Sequence, residues 1–375
     1  MTETIGLVLV TRASKAPIGA EIPTPLPHLL KEKSPPMIKS LFWNDAERRL
    51  RAFCRQIIQL VVLFLALAIV SNSLSPVLQF VSSLLNPNAD MYLAFDFSSW
   101  PLLELLTALI VLETVWLMAR FINREPFGAF GFRFNGNWWL DYGFGLVLGF
   151  LLTAGVFLVE LAAGWVTIAG TFWVNIGLGN LPFGFALLSP LVSFAGMAIV
   201  EETATRAYPI RNLAQGLQAK VGPRGALVSI WLLSAIAFAW GHHNNPHVLP
   251  LGFINLAIAG LLLGLSYVLT GNLGLSLGLH ISWDFCQGCV FGMPVAGMTP
   301  SIVVSFLTIV QGGPELWTGG DFGPDGGLVV TLAFLLGMLS VLLYVRWRYG
   351  KVALYTPLAT YLPRRGGADS DLSVL

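Results

Sequence analysis

The sequence predicts an all-α, polytopic integral membrane protein: a helical bundle with about eight transmembrane helices. Three observations predict it. Of the 375 residues, 55% are hydrophobic and only 11% charged, where soluble domains carry roughly 25% charged residues. Long apolar runs recur along the chain, each near the ~20 residues that a spanning helix needs. The basic residues, finally, fall into alternate connecting segments, as the rule that places Lys and Arg on the cytoplasmic side requires. A net charge of +1 provides no basic field for nucleic acid, so no nucleic-acid partner is expected. The three cysteines, Cys54, Cys286 and Cys289, make no disulfide framework.

Residues 1–37 are rich in proline and polar residues and read as a flexible cytoplasmic tail. In 38–54, Ile38, Leu41, Phe42, Leu50 and Phe53 fall roughly on one helical face beside Arg48, Arg49 and Arg51. That pattern suits an interfacial amphipathic helix, and it suits a solvated connector equally well. Eight stretches have spanning length and composition: 56–78, 101–119, 140–165, 182–207, 225–243, 250–269, 273–293 and 327–345. The first three lie within 55–180, and the next four within 181–326. The last falls in 327–375, which also holds a second cytoplasmic tail. A shorter run at 301–311 reads as re-entrant or interfacial.

With eight spans and both termini cytoplasmic, every Lys and Arg lies on the inside. The outside loops then carry only acids: Asp90, Asp96, Glu315, Asp321 and Asp325. A bacterial inner membrane is the expected location, and the lipid bilayer the first partner.

Ionisable groups inside spans are costly and are functional candidates by default. Most of them crowd into residues 201–284. In Glu201-Glu202-x-x-x-Arg206, Glu202 and Arg206 are four apart with the acid first, the favourable order for a helical ion pair. Glu201 points about 100° away, which leaves one carboxylate free to act as a base. In Phe238-x-x-x-His242 the ring can wall the imidazole from lipid, and in His280-x-x-x-Asp284 an acid and an imidazole share one face of an apolar helix.

Two other patterns read as accidental. Gly274-Leu-Ser276-Leu-Gly278 matches a nucleophile elbow, but that motif has meaning only on a strand–turn–helix. Here the small residues suit close helix packing. Cys286-x-x-Cys289 reads as two small core residues.

The three polar elements, in this order and on these spans, resemble the CPBP family of intramembrane proteases. That family includes the type II CAAX prenyl endopeptidases and bacteriocin-processing enzymes, with the pattern EExxxR, FxxxH and HxxxN or HxxxD. Trp283-Asp284-Phe285-x-Gln287-Gly288 and Leu316-Trp317-Thr318-Gly319-Gly320-x-Phe322-Gly323-Pro324 look like its bacterial branch. The resemblance covers about residues 190–326 and implies an endopeptidase that cuts a membrane-associated or lipidated peptide or protein. Carried over, Glu201 and His242 would activate a water, while His280 and Asp284 would stabilise the oxyanion. Glu202, Arg206 and Phe238 would be structural support. Asp284 stands where Asn is more usual, so it must be protonated or act through His280.

No cofactor is assigned. Zinc is the alternative, with Glu201, Glu202, His242 and His280 as its ligands, but no H-E-x-x-H spacing supports it. From another class, a proton-coupled transporter would use Glu113, Glu160, Glu201 and His280 as a relay; a family member that binds without cutting is a third reading. Perpendicular helices would put His242 about 27 Å along its span from Arg224, far from Glu201. Tilt, or a partly embedded 208–224, is therefore expected.

Overall fold

A computed structural model describes residues 41–85, 91–175, 181–299 and 304–363. The expected tail at 1–37 lies outside them. The fold is a helical membrane bundle. Its long helices are α1 (Ala52–Leu85), α2 (Met91–Leu117), α3 (Gly136–Ala162), α4 (Phe183–Glu202), α5 (Tyr208–Gly241), α6 (Pro250–Thr270), the shorter α7 (Gly274–Phe285), and α8 (Leu328–Tyr349). Among the described residues, six helical stretches are long and apolar enough to cross a membrane. One of them, Phe183–Gly241, contains both the fourth and the fifth expected spans. The expected span at 273–293 is α7, 12 residues long, extended by a π-helical turn at Cys286–Val290.

Two expectations are corrected. Residues 43–50 form a small antiparallel hairpin, β1 (Trp43–Asn44) with β2 (Arg49–Leu50), in place of a continuous amphipathic helix. Arg49 is the reason: its guanidinium is buried against Glu47, Glu125 and Gln215, which a helix lying on lipid could not offer. Of the run at 301–311, expected to be re-entrant or interfacial, the described part, 304–311, is a strand and does not re-enter the bundle. Within it β4 (Val304–Gln311) pairs antiparallel with β3 (Val166–Val174), so each backbone finds its hydrogen bonds in the other.

The predicted inside segments meet at one end. Glu125, Arg211, Arg49 and the 357–362 segment bond together there. The predicted outside segments meet at the other, through the β3–β4 ribbon and the Trp165–Trp317 contact. Helices α3 and α8 run between the two.

Glycines set the closest packing. On α3, Gly145 and Gly149 face the backbone of Leu275 and Leu279; on α7, Gly274 and Gly278 face the carbonyls of Trp138 and Tyr142. A Cβ at any of these positions would meet backbone, so the two helices approach as small-residue faces permit. This accounts for Gly274-x-Ser276-x-Gly278. Ser276 is fully buried, with its hydroxyl bonded to Ser266 and to the Leu263 carbonyl. Cys286 and Cys289 are buried free thiols, as expected.

Helix α5 is two arms. Gly222 adopts φ 73°, ψ 165°, a conformation open to glycine, and Pro223 disfavours the helical region for the residue before it. The second arm comes back along the end of α4: Ser234 donates to the Thr205 carbonyl at 2.7 Å. This break resolves the depth of His242. The chain leaves Glu201 for about 20 residues and returns over a similar length, so both residues reach one level.

Candidate functional site

The site is assembled at the ends of three helices. Glu201 and Glu202 end α4, where the α-helix gives way to a π-helical turn at Thr203–Ala207. Such turns are rare and frequent at functional sites. His242 caps the C-terminus of α5 with non-helical backbone, and His280 and Asp284 lie on α7.

Glu202 and Arg206 are fully buried and joined at 2.6 Å. Arg206 also lies over the Phe238 ring at 4.3 Å, a cation–π contact in a desolvated setting. The same Glu202 oxygen accepts from His280 Nδ1 at 2.9 Å. Phe238 touches both imidazoles, with ring centroids 4.8 Å from His242 and 5.8 Å from His280. Glu202, Arg206 and Phe238 thus form a buried base beneath the two imidazoles.

Glu201 points the other way. Its Oε1 is 3.9 Å from His242 Nε2 and its Oε2 is 3.7 Å from His280 Nε2. Oε2 is buried without a hydrogen-bond partner. His280 Nε2 also faces Asp284 at 3.4 Å. His242 Nδ1 lies 2.8 Å from the Phe238 carbonyl; a carbonyl only accepts, so Nδ1 carries the proton and neutral His242 presents a lone pair at Nε2.

These groups line a cavity of about 320 Å³, walled by Leu256, Leu262, Leu263, Leu279, Trp283 and Phe334. All four sequence-derived catalytic candidates, Glu201, His242, His280 and Asp284, line it. Three polar residues that the sequence did not single out join them: Thr205, Asn245 and Asp325. Asp325 was expected in an outside loop, yet only 5% of it is exposed. Burial raises its carboxyl above the ordinary range, while hydrogen bonds from Ala296 N, Gln287 and Trp283, and nearby His242, pull it back. The signal for Asp325 was faint: the motif ending at Pro324 stops one residue short of it. The relay imagined for a transporter does not come together. Glu113 is exposed, and Glu160, though fully buried, does not line the cavity.

Zinc needs donors about 2.0–2.2 Å from one point. Glu202 is turned to Arg206 and His280 Nδ1, away from the two Nε2 atoms, so the four-ligand set does not converge. Among the described residues no group of three or more His, Cys, Asp or Glu has metal-holding geometry.

The order and spacing of these elements can be compared with known families. Residues 183–286 match the family model of Rce1-like type II CAAX prenyl endopeptidases. That match spans α4 to α7 and so covers Glu201, Glu202, Arg206, His242, His280 and Asp284. It bears out the family resemblance read from the motifs, and it supports a CAAX-type intramembrane protease kind of function in a multi-pass membrane protein. No curated protein and no solved structure matches the chain. Asp325 lies beyond the matched residues.

Proposed function

We propose that the protein is a glutamate-dependent endopeptidase that hydrolyses a peptide bond of a membrane-associated or lipidated peptide or protein. One observation carries the reading: a carboxylate set between two imidazole nitrogens on the wall of a largely apolar cavity. Glu201 and His242 Nε2 are both acceptors, and their 3.9 Å separation is suited to bridging by one water that donates a hydrogen bond to each. The lone pairs of that water are then free to attack a substrate carbonyl. Glu201 takes the proton as general base and returns it to the leaving amine as the C–N bond breaks.

His280 supplies the opposite electrostatics. With Nδ1 donating to Glu202, an imidazolium presents Nε2–H to the tetrahedral oxyanion. Asp284 beside it supports that charge, acting through His280 as an ionised Asp must. Glu202, Arg206 and Phe238 hold the imidazoles from below. The mechanism routes no step through a metal.

The decisive variant is Glu201→Gln. Cleavage of a membrane-anchored peptide by purified protein is expected to fall by about 10²–10⁴-fold, the range for a general base, with the melting temperature unchanged. Full activity in Glu201→Gln overturns the proposal. About one zinc per chain, lost together with activity on chelation, would replace it with a metal mechanism.

Orientation is part of the proposal. We place Arg211 and the α5 break on the cytoplasmic side and the β3–β4 ribbon outside, from the distribution of Lys and Arg. Lys220 and Asp321 are both exposed. In a cysteine-free background, single cysteines at these two positions should label from opposite faces of the membrane with an impermeant thiol reagent. Labelling of both from one face rules out this topology.

A further inference from the structure

The ring of His242 is tied to the Phe238 carbonyl, but its backbone lies beyond regular helix, since α5 ends at Gly241 and the chain continues as turns and a bend through His247. Something must hold it to the precision that catalysis needs. The backbone leads from His242 to Asn245, whose N–H donates to the His242 carbonyl at 3.0 Å. Asn245 Nδ2 then donates to the Ala296 carbonyl at 2.9 Å. The Ala296 N–H donates to Asp325 Oδ2 at 2.9 Å, and Gln287 Nε2 donates to the same oxygen at 2.7 Å. Asp325 is fixed in turn from α6, where Asn255 Nδ2 donates to the Asp325 carbonyl at 2.9 Å and to the Gly327 carbonyl at 2.8 Å. Asp325, Gln287 and Asn255 are each at least nine-tenths buried.

The element between Asn245 and Asp325 is itself built for this place. Val295 and Met298 exchange both backbone hydrogen bonds, and Ala296 and Gly297 have φ of 46° and 85°. Two successive positive φ values make a type I′ turn, a conformation that alanine adopts only under strain. Strain of this kind persists where the surroundings over-determine it, often at active sites. Here both polar groups of Ala296 are held, and the Gly297 N–H donates to the Phe322 carbonyl at 2.8 Å. A Cβ on Gly297 would run into the Pro246 carbonyl, so the turn tip presses directly on the loop that follows His242.

We infer that Asp325 and Asn245 are positioning residues for His242, linked through the Val295–Met298 turn into a clamp that sets His242 against Glu201. The inference rests on the peptidase reading only for its kinetic consequence. Asp325 is the anchor because a carboxylate offers acceptors alone. Ala296 N and Gln287 Nε2 both donate to one of its oxygens, and a neutral amide oxygen in that place would hold the two donors less strongly than a carboxylate does.

The test uses Asp325→Asn and Asn245→Ala in the purified full chain, with two readouts. Carbethoxylation followed histidine by histidine reports the freedom of the His242 ring without any substrate. His243, exposed beside it, is the internal reference and His280 the control for the bundle. In both variants His242 should react about fivefold faster relative to His243, the shift in local opening that one lost hydrogen bond supplies, with His280 unchanged. Cleavage should lose about 10- to 100-fold in kcat, as a displacement near 1 Å does, with little change in KM. Unchanged His242 reactivity in the folded variants overturns the clamp, and so does a joint rise at His242 and His280, which marks general loosening. Should Asp325→Asn not fold, Asn245→Ala reads the same link from its other end. A wild-type chain that cleaves nothing would count against the peptidase, while the carbethoxylation pattern would still decide the clamp.

Discussion

The molecule buries charge in two places, and the two are built on opposite plans. Toward the end where α5 begins, Glu125 is enclosed. One of its oxygens accepts from Arg211 at 2.6 Å, Gln215 at 3.0 Å and the Leu362 N–H at 3.0 Å; the other faces Gln215 at 3.2 Å and Arg49 at 3.8 Å. Arg49 is capped by the Tyr361 ring at 3.6 Å, and Arg211 also reaches the carbonyls of Pro357 and Thr360. In the cavity, Glu201 has imidazoles 3.7 and 3.9 Å away and a buried oxygen with no hydrogen-bond partner. Both clusters are rich in Glu and in cationic or aromatic partners. What separates them is satisfaction: a saturated carboxylate ties segments together, while an unsatisfied one facing a cavity can take a proton from something that enters.

That contrast can be broken by experiment. Glu201→Gln should remove activity and spare folding. Glu125→Gln should do the reverse, because it leaves Arg211 without its buried counter-charge and Arg49 with Glu47 alone, a loss of about 3–5 kcal/mol seen as poor yield or a lowered melting temperature in detergent. If Glu125→Gln were instead stable and inactive, the division between a tying cluster and a reacting one would fail. Glu202→Gln belongs between them. Its oxygen serves both Arg206 and His280 Nδ1, so melting temperature and cleavage rate should fall together. A variant that lost only activity would move Glu202 from support into the chemistry. The smallest effect is expected at Ser276→Ala, about 1 kcal/mol for its hydrogen bonds, with cleavage unchanged. Loss of cleavage there would revive the nucleophile elbow.

Much of the site was legible because its signals are short-range. Glu202 with Arg206, Phe238 with His242, and His280 with Asp284 are all four apart, and a helix turns that spacing into one face whatever surrounds it. The opposite direction of Glu201 follows from the same geometry. The expected depth conflict at His242 was legible as well, since it is arithmetic on the helical rise. Its resolution at Gly222 and Pro223 also leaves a local trace, a glycine–proline pair between Lys220 and Arg224 in the connection between the fourth and fifth apolar runs. The hairpin at 43–50 was not legible, because the partners of Arg49 are Glu125 and Gln215, 76 and 166 residues away in sequence. An apolar stripe beside arginines looks the same whether lipid or protein receives it.

The sequence by itself determined the membrane bundle, the partition of its basic residues and the three polar elements of the cavity, since apolar length and helical periodicity act within one segment. Only the tertiary structure decided that 166–174 and 304–311 pair as strands, and that Asp325 belongs to the cavity. Each of these depends on which distant backbone group completes a hydrogen bond or leaves room for a side chain. For Asp325 the completing groups are Ala296 N and Gln287, and a buried carboxylate stays in a loop only where such donors have already been brought to meet it.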